Sequence, residues 1–188
     1  MDLTKSKIVA IIPARGRSKR IQNKNIKNFC GKPIIAYSIE AAIQSKCFDR
    51  VIVSTDTLEI AKVAKRYKAE VPFLRSSKNS SANATITDVI LEVIDRMKQE
   101  GSYPEYCCLI YATAPTVSAE DIKKALRILK KIDADVVIPV VEYEYPVGRA
   151  LKISKNYLGF VDKKNVFRRS QDLPVYYHDS GLFSFFKT

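Results

Sequence analysis

The sequence predicts an α/β fold with an open, mostly parallel sheet flanked by helices. Apolar runs end abruptly at polar loops, which is typical of buried parallel strands. Amphipathic segments, with apolar residues at every third or fourth position, separate those runs. The two patterns alternate along most of the 188 residues. Such alternation indicates a parallel sheet with helices on both of its faces.

The strands are assigned from the apolar runs. These runs are KIVAIIPA at 7–14, RVIVSTD at 50–56, AEVPFLR at 69–75, YCCLIYAT at 106–113, ADVVIPVVEY at 134–143 and LFSFF at 182–186. Pro72 has no backbone N–H to donate, so it favours an edge position for the third run.

The helices are assigned from periodicity and from their first residues. They are predicted within GKPIIAYSIEAAIQSKCF at 31–48, TLEIAKVAKRY at 57–67, ITDVILEVIDRMKQE at 86–100 and SAEDIKKALRILKKI at 118–132. Pro33 suits the first turn of the first helix. We expect Asp56 to cap the second helix, and Ser118 to cap the fourth with Asp121 three positions later.

The alternation stops after Tyr145, and a small inserted lobe is predicted at residues 142–180. RALKISKNYLGFVD predicts a hairpin with its turn between Asn156 and Gly159. The runs VVEYEYPV and LGFV carry more apolar and aromatic residues than one sheet needs. We therefore expect the lobe to join two copies of the chain in a homodimer.

Composition limits the classes of function. A hydrophobic content of 46% describes an ordinary globular chain. The net charge of +12 suggests an anionic partner, and solvated surface lysines are an equal alternative. No apolar run approaches the ~20 residues of a membrane span. MDLTKSK leads directly into the first strand, so we expect no signal peptide. Cys30, Cys47, Cys107 and Cys108 form no C-x-x-C pair, which favours buried free thiols and a cytoplasmic location.

A basic loop follows the first strand, at the edge of the sheet where ligands bind in such folds. It carries Arg15, Arg17, Lys19, Arg20 and Lys24, together with Gly16 and Ser18. Backbone N–H groups of such a loop can surround phosphate oxygens, while the side chains supply positive charge. The loop matches neither the G-x-x-x-x-G-K-[ST] nor the G-x-G-x-x-G motif. A phosphate site of another kind is predicted, and a merely solvated loop is the alternative.

Several segments together resemble the CMP-sialic acid synthetase (acylneuraminate cytidylyltransferase) family. They are IIPARGRSKRIQNKNIKNFCGKPIIAYSIEAA, RVIVSTD, EVPFLR, YATAP and RRSQDLPVYYHDSG, in that order. Within that family the sequence looks most like the pseudaminic acid cytidylyltransferases, because of the A-R-x-x-S-K-R-I-x-x-K-N, F-C-G-K-P and Y-H-D-[AS]-G motifs. The resemblance covers nearly the whole chain and implies a single cytidylyltransferase domain at residues 1–188, with a nucleotide-diphospho-sugar transferase-like fold.

The resemblance implies the transfer of CMP from CTP to the anomeric hydroxyl of a nonulosonic acid, pseudaminic acid being favoured, with release of pyrophosphate and with Mg²⁺ as the cofactor. It makes Arg15 and Lys24 the catalytic cations that hold the triphosphate and stabilise the leaving pyrophosphate. By the same resemblance the nucleotide-binding residues are Ala14, Arg15, Gly16, Ser18, Lys24, Asn25, Arg75 and Ala84. For Arg75 the alternative is a solvated charge at the end of a strand.

The resemblance also implies a sugar site. Its residues are Tyr111, Thr113, Arg149, Arg169 or its neighbour Arg168, Gln171, His178 and Asp179. Strand packing is the alternative for Tyr111 and Thr113, a surface lobe for the arginines, and a structural hydrogen bond for His178. Asp56 is interpreted as a helix cap in preference to a metal ligand.

The sequence departs from the family at several positions. Arg17 stands where relatives usually have glycine, Gln22 replaces a proline, and SSKNSSAN lacks an acidic residue of the usual P-x-x-L-x-x-D. Relatives also continue past YHDSGLFSFF with an acidic D-x-D segment that binds the metal, and this sequence does not contain it. The metal ligands are therefore unknown, and the 188-residue chain is expected to bind CTP but to turn it over poorly.

The same reaction on legionaminic or sialic acid is one alternative. Two other functions are also compatible with the sequence. One is a nucleotide-binding relative without turnover. The other is a nucleic-acid binder, which the charge suggests. The sequence shows no paired RNA-stacking aromatics and no basic recognition helix, so no nucleic-acid partner is predicted.

Overall fold

The structure, a computed structural model, describes residues 8–16, 18 and 21–188 and divides into two compact units. Unit 1 is Met1–Pro139 with Gly181–Thr188, and unit 2 is Val140–Ser180. The strands are β1 (Ile8–Pro13), β2 (Asn28–Phe29), β3 (Lys32–Pro33), β4 (Arg50–Ser54), β5 (Tyr106–Ile110), β6 (Val136–Val137), β7 (Val140–Glu142), β8 (Leu151–Ser154), β9 (Tyr157–Phe160), β10 (Tyr177–Asp179) and β11 (Phe183–Lys187). The α-helices are α1 (Ile34–Ser45), α2 (Leu58–Arg66), α3 (Ile86–Gln99) and α4 (Ala119–Lys131).

The main sheet of unit 1 has the strand order β4-β1-β5-β11-β6. The strand β1 pairs in parallel with β4 and β5, whereas β11 runs antiparallel to both β5 and β6. The sheet is therefore mixed, with β11 as the reversed strand, and the predicted fold class is confirmed. The carboxyl ends of β1, β4 and β5 meet at one edge, where the predicted basic loop begins.

Helices cover both faces of this sheet. Ile35 of α1, Ile60 of α2 and Ile122 of α4 belong to one buried cluster, which also contains Cys108 of β5. Val93 of α3 lies in a second cluster on the other face. None of the helices among the described residues has both the length and the hydropathy that a membrane crossing requires.

Two of the four cysteines, Cys107 and Cys108, are buried as predicted. Cys107 and Cys108 point to opposite faces of β5 and are buried, as successive strand residues should be. Burial raises the pKa of the Cys107 thiol to about 12, so this thiol stays protonated at neutral pH. Cys30 is exposed and Cys47 is half-buried, so the prediction that the free thiols are buried is wrong for Cys30.

The predicted third strand, AEVPFLR, is wrong. Glu70 makes a single bridge to Ile52 of β4, through hydrogen bonds from its N–H to the Val51 carbonyl and from the Val53 N–H to its own carbonyl, each 2.8 Å long. Pro72 follows two residues later and offers no N–H with which to continue the ladder. The segment passes instead to Arg75, whose N–H donates to the Thr55 carbonyl.

The predicted strand ADVVIPVVEY is two strands in two different sheets. The first, β6, pairs with β11 in unit 1, and the second, β7, pairs with β10 in unit 2. Pro139 lies between them, at the boundary of the two units. Because proline cannot donate to a ladder, it separates two short strands here.

The helix caps match the predictions in part. Ser118 accepts a hydrogen bond from the Asp121 N–H at 3.0 Å, which confirms the predicted cap of α4. The cap of α2 is Thr57, whose Oγ1 accepts from the Ile60 N–H, so the prediction of Asp56 is wrong. Thr85 and Asp88 form a complete capping box at the start of α3, which we did not predict from the sequence.

Unit 2 contains two small antiparallel pairs, β7 with β10 and β8 with β9. The predicted hairpin is confirmed, and Lys155 and Asn156 form its turn with φ values of 49° and 68°. The predicted position of the turn, between Asn156 and Gly159, is wrong because Gly159 pairs with Lys152 inside β9. Positive φ at both turn residues matches the right-handed twist of the flanking strands. Asn165 is buried in this unit and donates from Nδ2 to the Gly148 carbonyl at 3.0 Å.

Candidate active site

A cavity of about 540 Å³ lies in unit 1 beyond the carboxyl ends of β1 and β5. Its walls come from the loop after β1, from a short 3₁₀ turn at Lys24–Ile26, from the segment between β4 and α3, and from the residues after β5. The lining residues are Pro13, Arg15, Ser18, Lys24, Asn25, Arg75, Asn79, Ser81, Ala82, Ala84, Thr85, Ile86, Val89, Tyr111, Ala112 and Thr113. This is the edge of an open α/β sheet at which ligands bind.

The cavity brings together most of the predicted nucleotide residues and two of the predicted sugar residues. They are Arg15, Ser18, Lys24, Asn25, Arg75, Ala84, Tyr111 and Thr113. Ala14 and Gly16 belong to the same loop but do not line the cavity. Arg17, Lys19 and Arg20, which share the predicted basic loop, lie outside the described residues.

The backbone of the loop after β1 is held by hydrogen bonds to Ser54, Asp56 and Asn25. The Ala14 N–H donates to the Ser54 carbonyl at 2.8 Å, and the Gly16 N–H donates to Asp56 Oδ1 at 2.7 Å. Asn25 is only 6% exposed, and its Nδ2 donates to the Arg15 carbonyl at 2.9 Å. Asp56 and Asn25 therefore hold the backbone of Arg15 and Gly16 in place.

Gly16 is required by a close approach. A Cβ atom on this residue would lie 2.3 Å from the Thr57 Cγ2 methyl, well inside the contact distance of two carbons. The loop thus packs directly against the residue that caps α2. A larger residue at this position would displace the loop from the edge of the cavity.

Arg15 and Lys24 supply two of the positive charges of the cavity. Both side chains are half-buried. Arg15 Nη1 approaches the Ser81 carbonyl at 3.5 Å, a long and weak hydrogen bond. Arg15 thereby contacts the opposite wall of the cavity.

Arg75 is held rigidly and is only 7% exposed, so the alternative of a solvated charge is wrong. Its Nε donates to Ser54 Oγ at 3.0 Å, and its Nη2 donates to the Ser54 carbonyl. Burial lowers the pKa of the Arg75 guanidinium, and the nearby carboxylates of Asp56 and Glu92 act in the opposite direction. An arginine stays protonated under these conditions, so a fixed positive charge lies in the wall of the cavity.

Glu92 and Asn79 were not predicted from the sequence. The Glu92 carboxylate of α3 accepts from the Ser76 N–H at 2.9 Å and from Asn79 Nδ2 at 2.8 Å. Burial raises the pKa of Glu92, but the hydrogen bonds from Asn79 and Ser76 outweigh it and the pKa is lowered. The pattern of α3 places Glu92 on a polar helix face, which gives no signal that it reaches a loop.

The remaining predicted sugar residues, Arg149, Arg169, Gln171, His178 and Asp179, all belong to unit 2. Arg149 is half-buried, donates from Nη1 to the Arg168 carbonyl at 3.1 Å and lies beside the Phe160 ring. Its buried Nε has no hydrogen-bond partner within the described part of the chain. The His178 ring packs against Tyr143, and its Nδ1 lies 2.9 Å from the Asp179 carbonyl oxygen.

The described residues do not form a metal cage. No three His, Cys, Asp or Glu side chains among residues 8–16, 18 and 21–188 are grouped closely enough to hold an ion. Asp56 is already engaged by the Gly16 N–H, and Glu92 is engaged by two donors.

The sequence matches a family model described as cytidylyltransferase over residues 9–186. It is 40% identical over 180 residues to a pseudaminic acid cytidylyltransferase of Campylobacter jejuni, covering 95% of this chain and 78% of that protein. It is 32% identical over 178 residues to a CMP-N,N'-diacetyllegionaminic acid synthase of Legionella pneumophila, covering 94% of this chain and 74% of that protein. The motif resemblance is confirmed.

Solved structures share the fold at low sequence identity. A CMP:2-keto-3-deoxy-manno-octonic acid synthetase in complex with CTP superposes with a TM-score of 0.71 at 19% identity, covering 97% of this chain and 74% of the other. A 4-diphosphocytidyl-2C-methyl-D-erythritol synthase of Anaerococcus prevotii gives a TM-score of 0.64 at 17% identity, covering 97% and 71%. These structures share the fold, and the family model and the relatives show that the chain belongs to the cytidylyltransferase family.

Proposed function

We propose that the chain transfers CMP from CTP to the anomeric hydroxyl of a nonulosonic acid, with pseudaminic acid favoured. The hydroxyl oxygen bonds to the α-phosphorus, the bond from that phosphorus to the bridging oxygen breaks, and pyrophosphate leaves while the hydroxyl loses its proton. The observation that carries this proposal is the cavity that gathers Arg15, Lys24 and Arg75 beyond the carboxyl edge of the sheet. Identity of 40% to a pseudaminic acid cytidylyltransferase supports the choice of sugar.

Positioning and charge are the main contributions that such a cavity makes to phosphoryl transfer. Arg15 and Lys24 would bind the triphosphate and stabilise the negative charge that develops on the leaving pyrophosphate. Ser18 and the backbone N–H groups of the same loop would bind phosphate oxygens. Asn25 would act by holding the Arg15 backbone, because its amide is already used for that contact.

The base and ribose would lie toward the wall formed by residues 75–85. Arg75 presents a fixed positive charge there, while Ala82 and Ala84 leave room for a small base. A carbonyl oxygen, such as O2 of cytosine, is the kind of group that a buried guanidinium binds. We therefore propose that this wall favours CTP over purine nucleotides.

The candidate residues for the nonulosonic acid are Tyr111 and Thr113, which line the cavity, and, from the family resemblance, Arg149, Arg169, Gln171, His178 and Asp179 of unit 2. An arginine with an unused buried donor, as in Arg149, suits the carboxylate of such a sugar. Legionaminic and sialic acids carry the same carboxylate and remain alternative substrates, since relatives named for both kinds of sugar match this chain.

We propose Mg²⁺ as the accompanying cation because it is usually held by one or two carboxylates together with substrate phosphates, not by a protein cage. Chelation with EDTA should then abolish product formation and leave the fold unchanged by circular dichroism. Full activity in EDTA would contradict the assignment of Mg²⁺.

We further propose that the protein works in the cytoplasm as a homodimer. Cys30, Cys47, Cys107 and Cys108 are free thiols in the described structure, which suits a reducing compartment. Exposed apolar residues are frequent in unit 2, and these suit an interface between copies of the chain.

The direct test is to incubate the protein with CTP, Mg²⁺ and a panel of pseudaminic, legionaminic and sialic acids. CMP-pseudaminic acid and pyrophosphate should form fastest, as measured by mass spectrometry and a coupled pyrophosphate assay. CTP binding without product for any sugar would favour the nucleotide-binding alternative. Absence of CTP binding would overturn the proposal.

A further inference from the structure

Residue Glu92 on α3 connects that helix to the loop that forms one wall of the cavity. Its Oε1 accepts from the Ser76 N–H at 2.9 Å, and its Oε2 accepts from Asn79 Nδ2 at 2.8 Å. Asn79 Nδ2 also reaches the Asp88 carbonyl at 3.3 Å. The carboxylate of this one helical residue therefore holds two points of the loop at once, Ser76 and Asn79.

The loop depends on these contacts for its shape. The Ser80 N–H and Oγ both bond to the Ser76 carbonyl, at 3.0 Å and 2.8 Å, so the turn 76–80 moves with Ser76. The far end of the loop is fixed by the capping box of Thr85 and Asp88. Between these two anchors the loop presents Asn79, Ser81, Ala82 and Ala84 to the cavity.

The same loop touches the phosphate side of the cavity. Arg15 Nη1 approaches the Ser81 carbonyl at 3.5 Å, and the charges of Glu92 and Arg75 interact. A shift of the turn 76–80 would thus move the wall and loosen a contact of Arg15. The hydrogen bonds of Glu92 also lower its pKa, so the carboxylate is ionised at neutral pH.

We propose that Glu92 is a positioning residue for the nucleotide, acting through Asn79 and Ser76 on the cavity wall. This inference rests on the proposed function, because it assumes that the cavity binds CTP. Glu92 does not line the cavity itself, so its effect must pass through the loop. Its loss should weaken nucleotide binding and leave the use of the sugar acid unchanged.

The first measurement needs no ligand. Hydrogen exchange of the nucleotide-free protein should show faster exchange at 76–84 in Glu92→Gln than in the parent, because glutamine has one acceptor oxygen for two donors. Asp95→Asn is the matched control, since Asp95 is an exposed carboxylate of the same helix whose ion pair is with Lys98 at 3.9 Å. Unchanged exchange at 76–84 in Glu92→Gln would overturn the inference.

The second measurement separates positioning from a general loss of structure. Glu92→Gln should raise the Kd for CTP in calorimetry, and the KM for CTP with it, roughly three- to thirtyfold, while kcat and the KM for the sugar acid change by less than about twofold. Asn79→Ala should have a similar effect from the loop side, and it serves if Glu92→Gln does not fold. The double variant should be little worse than either single variant, because both substitutions remove the same contact between Asn79 and Glu92.

The outcomes distinguish this inference from the proposed function. A parent that binds no CTP overturns the proposed function itself. A parent that binds CTP, with a Glu92→Gln variant of equal CTP affinity or with both KM values raised alike, overturns the positioning role alone. Additive effects of Glu92→Gln and Asn79→Ala would also contradict it.

Discussion

The positive residues of the candidate site are held in different ways. Arg75 is fixed through Ser54 and is almost fully buried, whereas Arg15 and Lys24 are half-buried. Arg15 has its backbone held by Asn25, and its side chain makes one weak contact. Arg75 is therefore suited to hold a constant charge, while Arg15 and Lys24 can adjust to a triphosphate.

Replacement of Arg15 or Lys24 by alanine should weaken CTP binding by roughly 1.5–3 kcal/mol each, because a hydrogen bond between charged groups is lost. The melting temperature should change little, since neither side chain is part of a buried cluster. Isothermal titration calorimetry measures the affinity. Lys27→Ala is the control, because Lys27 is exposed on the same turn and does not line the cavity. Parent-like affinity in either variant would remove that residue from the phosphate site.

Substitution of Gly16 by alanine should lower both CTP affinity and stability, the stability by roughly 1–3 kcal/mol, because the new methyl overlaps Thr57. The double variant Gly16→Ala with Thr57→Ser should recover most of the loss. Serine lacks the Cγ2 atom that lies 2.3 Å from the new Cβ, yet it retains the hydroxyl that caps α2. Urea unfolding and calorimetry measure the two effects. No recovery in the double variant would show that the close approach is not the cause.

At the scale of the element, the loop–helix junction at Thr85 serves two purposes. Thr85 begins α3 with a capping box, and it also lines the cavity. Hydrogen bonds from Thr85 lower the pKa of the Asp88 carboxyl. A lowered pKa in the folded state stabilises the fold above the ordinary value of 3.8, and this contribution is lost as the pH falls through the lowered value.

The variant Thr85→Ala should lower the melting temperature at pH 7 by roughly 2–6 °C, because the cap is lost. The difference from the parent should shrink as the pH falls below 3.8, since protonated Asp88 contributes less in either protein. Thr85→Ser retains the hydroxyl and is the control. Differential scanning calorimetry from pH 7 to about pH 3 measures the effect. Equal melting temperatures for Thr85→Ala and the parent at pH 7 would contradict it.

The elements that the sequence predicted correctly are those whose pattern depends on burial alone. The strands β1, β4 and β5 are continuous apolar runs, and α3 and α4 have clear periodicity. The strand predicted around Pro72 was wrong because a local apolar pattern does not reveal whether a ladder continues. Arg75 was hard to assess because its burial depends on Ser54, which is distant in sequence. Glu92 was not predicted because its partners, Ser76 and Asn79, are also distant in sequence.

At the scale of the whole molecule, unit 2 differs from unit 1 in how little of it is buried. Asn165 and Leu173 are its buried residues in the described structure, whereas apolar side chains such as Phe167, which is 99% exposed, face solvent. Large exposed apolar surfaces of this kind mark interaction sites. We therefore propose that residues 142–180 join two copies of the chain through these exposed apolar side chains.

Replacement of Leu158 by lysine should convert the dimer to a monomer in sedimentation velocity, because a charge would be buried at the interface. Leu58→Lys is the matched control, since Leu58 in unit 1 and Leu158 in unit 2 are both 66% exposed. The control should remain dimeric. A parent that sediments as a monomer at high concentration, or a control that dissociates as readily, would rule out the proposed interface.

The boundary of the two units has a consequence for how such a protein can change over evolution. The chain leaves unit 1 after β6 and returns to it before β11, and these two strands are paired, with Val137 opposite Phe185. An insertion whose ends lie on adjacent strands can be lengthened, shortened or exchanged without breaking the sheet that carries it. Residues 140–180 can therefore be replaced as one segment. Natural selection can vary the length and sequence of residues 140–180, while the main sheet of unit 1 and the cavity at its edge are inherited intact.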